Sequence, residues 1–326
     1  MIAHPRSDRF HCFPVPLLGG PACLLGLIAA VVGWSLLTGA CSHPTGVTVR
    51  LFVAAGVGSL GLLVLGLLDD HRACSPFRKG LVQAFVLLGV FLFWRPEGRL
   101  ATLPVGVAAW FCALVLINAW NYLDHADAVF ASASVPASVL LVAGSGAALG
   151  GGCAAGALWG FCGSMLGFLV WNRPPARIFL GDAGSLPLAF LLVLASLVII
   201  DSGPPEVLPV AVAVHCVPWI DMLLVTISRL RAGTSPLRGG RDHSAHRLTS
   251  VLGRSWTPVV FALAAAAFGL VGRFLGPINP VLAVAALVFT GSVLALGLLG
   301  LAPPARRPAE GPSGSGRPTG TDRPPV

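Results

Sequence analysis

The sequence predicts an all-α polytopic membrane protein with about ten transmembrane helices. Of its 326 residues, 55% are hydrophobic and only 10% are charged. Mean hydropathy is +0.84. Apolar runs close to the ~20 residues that a helix needs to cross a hydrocarbon layer recur along the whole chain. Soluble domains carry about a quarter of their residues as charges, so a cytosolic enzyme, a disordered chain and a secreted disulfide scaffold are all excluded. The 40 glycines and 27 prolines fit membrane helices, which tolerate both. No sheet pattern is present, and in lipid a helix satisfies its own backbone hydrogen bonds.

The runs occupy 17–37, 49–68, 80–94, 102–118, 130–148, 153–171, 186–201, 207–229, 257–275 and 279–302, the third and seventh being short. Residues 1–16 form an N-terminal segment, 17–302 the membrane domain and 303–326 a tail. Arg6 and Arg9 precede the first run, and Thr38-Gly39-Ala40-Cys41 faintly resembles a lipoprotein cleavage box. Pro14, Pro16, Gly19 and Gly20, together with the many later runs, favour a retained span over a cleaved leader. Rich in Pro, Gly, Ser and Arg, the tail lacks apolar surface to offset its ordering entropy and is expected to be disordered.

The net charge of +8 has a topological explanation, so no nucleic-acid partner is inferred. With the N-terminus inside, 17 of the 21 Lys and Arg residues fall on the inner side, leaving Arg50, Arg95, Arg99 and Arg273. The positive-inside rule then puts both termini of this multi-pass protein in the cytoplasm, and the inner (plasma) membrane is its expected location. The eight cysteines contain no CxxC pair. Neither a zinc site nor a disulfide framework is expected from them.

Acidic residues gather on the inner side: Asp69 and Asp70, Asp124 and Asp127, Asp182, and Asp242. Carboxylates opposite an excess of Arg suit a divalent cation and phosphates together. Asp69-Asp70 closes the second span, with Lys79 and Gln83 beyond; on its own it also reads as a solvated helix end. In Asn118-Ala119-Trp120-Asn121-Tyr122-Leu123-Asp124-His125-Ala126-Asp127, a continuing helix would bring Asn121, Asp124 and Asp127 near one face. Those oxygens suit Mg²⁺ or a nucleoside, although Asn and Asp also cap helices. Phe179-Leu180-Gly181-Asp182-Ala183-Gly184-Ser185 permits close approach of backbone to a ligand, or forms an ordinary helix start.

The longest inner loop carries Arg229, Arg231, Arg238, Arg241, His243, His246 and Arg247. Guanidinium forks suit phosphate oxygens, and a basic inner loop is also what orientation alone requires. The two His are three apart, and zinc is disfavoured because no third soft ligand lies nearby in sequence. Asp221, in the eighth run near Pro218, is an intramembrane carboxylate, read as supporting the site from behind.

Together these segments resemble the superfamily of polyprenyl-phosphate N-acetylhexosaminyl-1-phosphate transferases, glycosyltransferase family 4. It includes WecA-like GlcNAc-1-phosphate transferases and phospho-MurNAc-pentapeptide translocases. The motifs run in order from Arg9-Phe10-His11-Cys12-Phe13-Pro14-Val15-Pro16-Leu17-Leu18-Gly19-Gly20 through Asp69-Asp70, Asn121-x-x-Asp124, Phe179 to Ser185 and Pro218-x-x-Asp221 to Gly240-Arg241-Asp242-His243-Ser244-Ala245-His246-Arg247-Leu248. The resemblance implies an enzyme that moves a sugar-1-phosphate, GlcNAc-1-phosphate above all, from a UDP-sugar to polyprenyl (undecaprenyl) phosphate, releasing UMP. The product would initiate a cell-envelope glycan.

It also implies Mg²⁺, with Mn²⁺ as a substitute, on Asp182 with Asn121 as second ligand. Asp69, Asp70 and Asp182 would be catalytic, and Lys79, Asn118, Asp124, Asp127, Phe179, Arg238, Arg241, His243 and His246 would bind substrate. Its partners would be the UDP-sugar, the polyprenyl phosphate and the bilayer, with a homodimer allowed. His125 and Ala128 stand where the family pattern has glycine, and Ala245 where it has a middle His. The alternatives are a phospho-MurNAc-pentapeptide transferase, a secondary transporter with polar groups at the bilayer midplane, and an inactive relative.

Overall fold

The computed structural model describes residues 2–3, 14–40, 45–145, 152–236, 240 and 242–300. The expected tail, Arg238, Arg241 and the Arg9–Phe13 part of the first motif lie outside the described residues. Each of the ten predicted runs is largely helical over its described residues. Eight helices are long and apolar enough to cross a membrane: α1 (Gly19–Thr38), α2 (Gly46–His71), α3 (Pro76–Trp94), α4 (Leu103–Leu123), α6 (Gly152–Asn172), α7 (Asp182–Ser202), α11 (Thr257–Leu275) and α12 (Pro280–Leu298). The fifth run gives a shorter helix, α5 (Val129–Ser145), with Pro136 inside it.

The eighth run is not one straight span. It forms a 3-10 turn (Pro205–Val207) leading into α8 (Leu208–Ala213), then α9 (Cys216–Arg231), the two parts bent by 48°. Pro218 has no N–H to give the carbonyl of Val214, four residues back, and the break falls at Val214 and His215. A twelfth helix, α10 (Ser244–Leu252), lies in the segment read from sequence as loop. The expectation of no strand pairing needs one small correction: β1 (Ile2–Ala3) pairs antiparallel with β2 (Val15–Pro16).

Local chemistry sets the helix ends. Thr45, Ser75 and Asn279 occupy N-cap positions, their side chains accepting from the backbone N–H of Thr48, Arg78 and Leu282. Pro76 and Pro280 follow at the first helical position, where the missing N–H has no intrahelical partner to lose.

At the centre stands α7. In its most apolar stretch 83% of the residues are buried, against 22–44% in the other spans, so it is wrapped by protein where they face lipid. Helix α2 runs antiparallel to it, and Gly66 lets the α2 backbone touch that of Asp182 and Ala183. Gly20 of α1 and Gly184 of α7 cross backbone to backbone. A side chain at either glycine would force the helices apart.

The connections put the C-terminal ends of α2, α4, α6 and α9 and the N-terminal ends of α3, α5 and α7 at one end of the bundle. At the opposite end the buried carboxylate of Asp201 accepts from the backbone N–H of Glu97, Gly98 and Leu100. The cysteine expectation is corrected at the same end, where Cys153, near the start of α6, is disulfide-bonded.

Candidate active site at one end of the bundle

The last turn of α2 and the first turns of α3 and α7 supply the acidic half of the site. Lys79 Nζ contacts a carboxylate oxygen of Asp182 and lies 3.3 Å from Asp69 Oδ2. Asp69 is further held by the backbone N–H of Cys74, at 2.7 Å. The other oxygen of Asp182 accepts from Asn121 Nδ2 at 2.8 Å. Thus α2, α3, α4 and α7 each contribute one polar group to a single point.

Asp70 has a different job. Its two oxygens accept the backbone N–H groups of Asp182 and Ala183, both at 3.0 Å. A carboxylate from α2 therefore caps α7, matching negative charge to the positive end of the helix dipole. Gly181, at φ +65°, precedes the helix, and a Cβ there would collide with the Asp70 carboxylate. On the other side, the strand-like stretch 177–181 is held by bonds from Phe179 N to Pro16 O (2.9 Å) and from Gly19 N to Phe179 O (3.0 Å). This places Asp182 from two directions.

The residues of the Asn118–Asp127 segment divide. Helix α4 stops at Leu123, so the single helical face expected for Asn121, Asp124 and Asp127 does not form. Ala128, at φ +64°, turns the chain into α5. Asn121 reaches Asp182 and Ser185 with its amide nitrogen. Asn118 instead donates to Gln83 Oε1 at 2.6 Å and to its own helix at Leu114 O, away from the carboxylates. Asp127 accepts from Ala176 N at 3.1 Å and so fastens the connection after α6. Asn172 fastens it too, accepting from Ala128 N and donating to Ile178 O.

A second cluster adjoins the first through the same end of α4. Asp221 is fully buried and accepts from His243 Nδ1 at 2.8 Å and Ser244 N at 2.7 Å, fixing both the ring and the start of α10. The His125 ring stacks on His243 with centroids 3.8 Å apart, Tyr122 meets His243 edge-on at 5.5 Å, and His246 lies 4.8 Å from His125. Arg229 makes a two-pronged pair with Asp242, at 2.8 and 2.9 Å. Asp221 was flagged in the sequence by its cost in a membrane; His125, Tyr122 and Arg229 carried no such signal.

Burial pushes the His125 ring down from its ordinary 6.5 to about 3, the charge of His243 adding to the effect. The folded protein therefore binds fewer protons here than the unfolded chain as pH falls from 6.5 toward 3, and folding loses up to about 1.4 kcal/mol per pH unit in that window. Melting temperature in detergent is expected to fall between pH 7 and pH 5, and His125→Gln to flatten that fall. Parallel curves for the two proteins would contradict this.

The donor set of the first cluster suits a hard divalent ion. It contains the carboxylates of Asp69 and Asp182 and the Oδ1 of Asn121, which makes no hydrogen bond among the described residues. Lys79 already supplies one positive charge at this point.

Residues 52–200 match the model of glycosyl transferase family 4. A Streptomyces coelicolor protein with a provisional glycosyltransferase name is 36% identical over 80% of this chain and 60% of its own length. The decaprenyl-phosphate N-acetylglucosaminephosphotransferase of Mycolicibacterium smegmatis is 30% identical over 77% of this chain and 69% of its own. A phospho-N-acetylmuramoyl-pentapeptide-transferase from a Synechococcus strain is 34% identical over 42% of this chain and 44% of its own.

Proposed function

The chain belongs to glycosyl transferase family 4, and from that premise we propose that it transfers GlcNAc-1-phosphate from UDP-GlcNAc to a polyprenyl phosphate and releases UMP. The observation that carries the reading is the convergence of Asp69, Asp182 and Asn121 on Lys79 at one end of a membrane bundle. In the reaction an oxygen of the lipid phosphate attacks the sugar-bearing phosphorus of the diphosphate. A new P–O bond forms as the bond to UMP breaks. Both reactants are anions, so the protein's task is charge neutralisation and in-line positioning.

The residues take distinct parts. Lys79 receives phosphate oxygens, and His243, oriented by Asp221, orders the start of α10. Arg238 and Arg241 belong to the same basic loop and are assigned to phosphate as well. Asp124, Asp127 and Phe179 are assigned to the nucleoside side, Asp127 and Phe179 by ordering the 173–181 stretch. Asp69, Asp182 and Asn121 would hold Mg²⁺, or Mn²⁺ in its place. Such an ion, when bound, neutralises diphosphate charge and polarises the phosphorus. Asp70 acts by fixing Asp182.

We place the acidic end of the bundle in the cytoplasm, because 17 of the 21 basic residues fall on that side. The disulfide of Cys153 at the other end supports this, since disulfides persist in oxidising compartments. The acids sit at helix ends, which disfavours a transporter with its site at the midplane. The Synechococcus relative keeps phospho-MurNAc-pentapeptide as a second donor to test.

The test is UMP release by detergent-purified protein given Mg²⁺ and polyprenyl phosphate with UDP-GlcNAc or UDP-MurNAc-pentapeptide. Release is expected with UDP-GlcNAc. Release only with the pentapeptide donor would move the protein to the second reading, and release with neither donor would refute the transferase.

A further inference from the structure

His125, Asp221 and His243 come from three separate segments, and each offers one ligand atom within 4.8 Å of the others. Ligands of a tetrahedral ion sit about 3.3 Å apart, given bonds of about 2.0–2.1 Å, so the farthest pair closes by about 1.5 Å to receive one. The His125 ring is prepared for this. Its Nδ1 hydrogen goes to the carbonyl of Tyr122, which leaves Nε2 as a lone pair, and Nε2 is buried with no hydrogen-bond partner. A ring nitrogen tied to a backbone carbonyl while the other stays open is the usual arrangement of a metal-binding imidazole.

Charge points the same way. The partners of the Asp221 carboxylate are a ring nitrogen, a backbone N–H and a hydroxyl, none of them Lys or Arg. Arg229 approaches His243 Nε2 at 3.5 Å, but its charge is matched by Asp242. What remains is one buried carboxylate beside two imidazoles. Nitrogen donors in this set select a first-row transition metal over Mg²⁺.

We propose that His125, Asp221 and His243 form a binding site for a divalent transition ion of the zinc class, separate from the oxygen donors around Asp182. Sequence spacing disfavoured zinc because it saw only His243 and His246; the fold delivers the missing ligand from the end of α4. The site would clamp the α4–α5 connection to α10. It does not depend on which sugar nucleotide the protein uses.

The probe is Co²⁺, added to tag-free, chelator-treated, full-length protein in detergent with Mg²⁺ in excess. We expect one equivalent to bind and to give the intense visible absorption of a tetrahedral nitrogen and oxygen environment. Zn²⁺ should displace it. His125→Gln should weaken binding at least about tenfold, whereas Asp182→Asn should leave the absorption in place. No band in the wild-type protein would overturn the proposal whatever the variants do. So would a band unchanged in His125→Gln, or one lost in Asp182→Asn. If His125→Gln is not monodisperse, His243→Gln is read in its place with the same two outcomes.

Discussion

Asp182→Asn is expected to lower UMP release by at least about 10²-fold, some 2.7 kcal/mol of transition-state stabilisation. The melting temperature should change little. The substitution keeps the shape of the side chain and an oxygen to accept from Asn121, and the Asp70 cap holds the Asp182 main chain, not its side chain. Lys79 also keeps Asp69 as a partner. What is lost is one full negative charge at the point where α2, α3, α4 and α7 meet. Turnover within a few-fold of wild type would remove Asp182 from any metal or catalytic role.

Lys79→Met should be as damaging to turnover and much worse for stability. The Asp69 and Asp182 carboxylates share this ammonium in a largely buried setting, and removing one partner of a buried pair typically costs about 3–5 kcal/mol. Here two like charges are left facing each other. The variant's melting temperature is therefore expected to become steeply dependent on added Mg²⁺, because a divalent ion would take over the neutralising role, while the wild type responds weakly. A variant as stable as wild type without divalent ions would show that Lys79 does not hold the acids together.

The sequence showed the helices because lipid leaves the backbone few options, and the apolar runs need only be counted. The bend in the eighth span was readable in principle from Pro218. Asp69, Asp182 and Lys79 were legible because charge at the edge of apolar runs is rare enough to stand out. Asp70 was not separable from Asp69: its role as a cap depends on a contact 112 residues away. Asn118 was expected at the substrate through the resemblance, yet it lies nearly one turn before Asn121 on α4 and reaches Gln83 instead. His125 was registered only as a departure from a motif. Its partners lie in α9 and at the start of α10, and nothing in local spacing announces a stack between segments more than a hundred residues apart.

Helix α7 begins at the Asp69–Lys79–Asp182 cluster and is enclosed along nearly its whole length. A ligand cannot tilt or slide Asp182 without disturbing neighbours on every side, so this half of the site works as a fixed anvil whose geometry is set when the protein folds. On the proposed reading, accommodation of differently sized head groups comes from the opposite jaw around α10, which hangs on the bundle by Asp221 and Arg229. Variants that widen the choice of donor should accumulate in that jaw and spare the anvil.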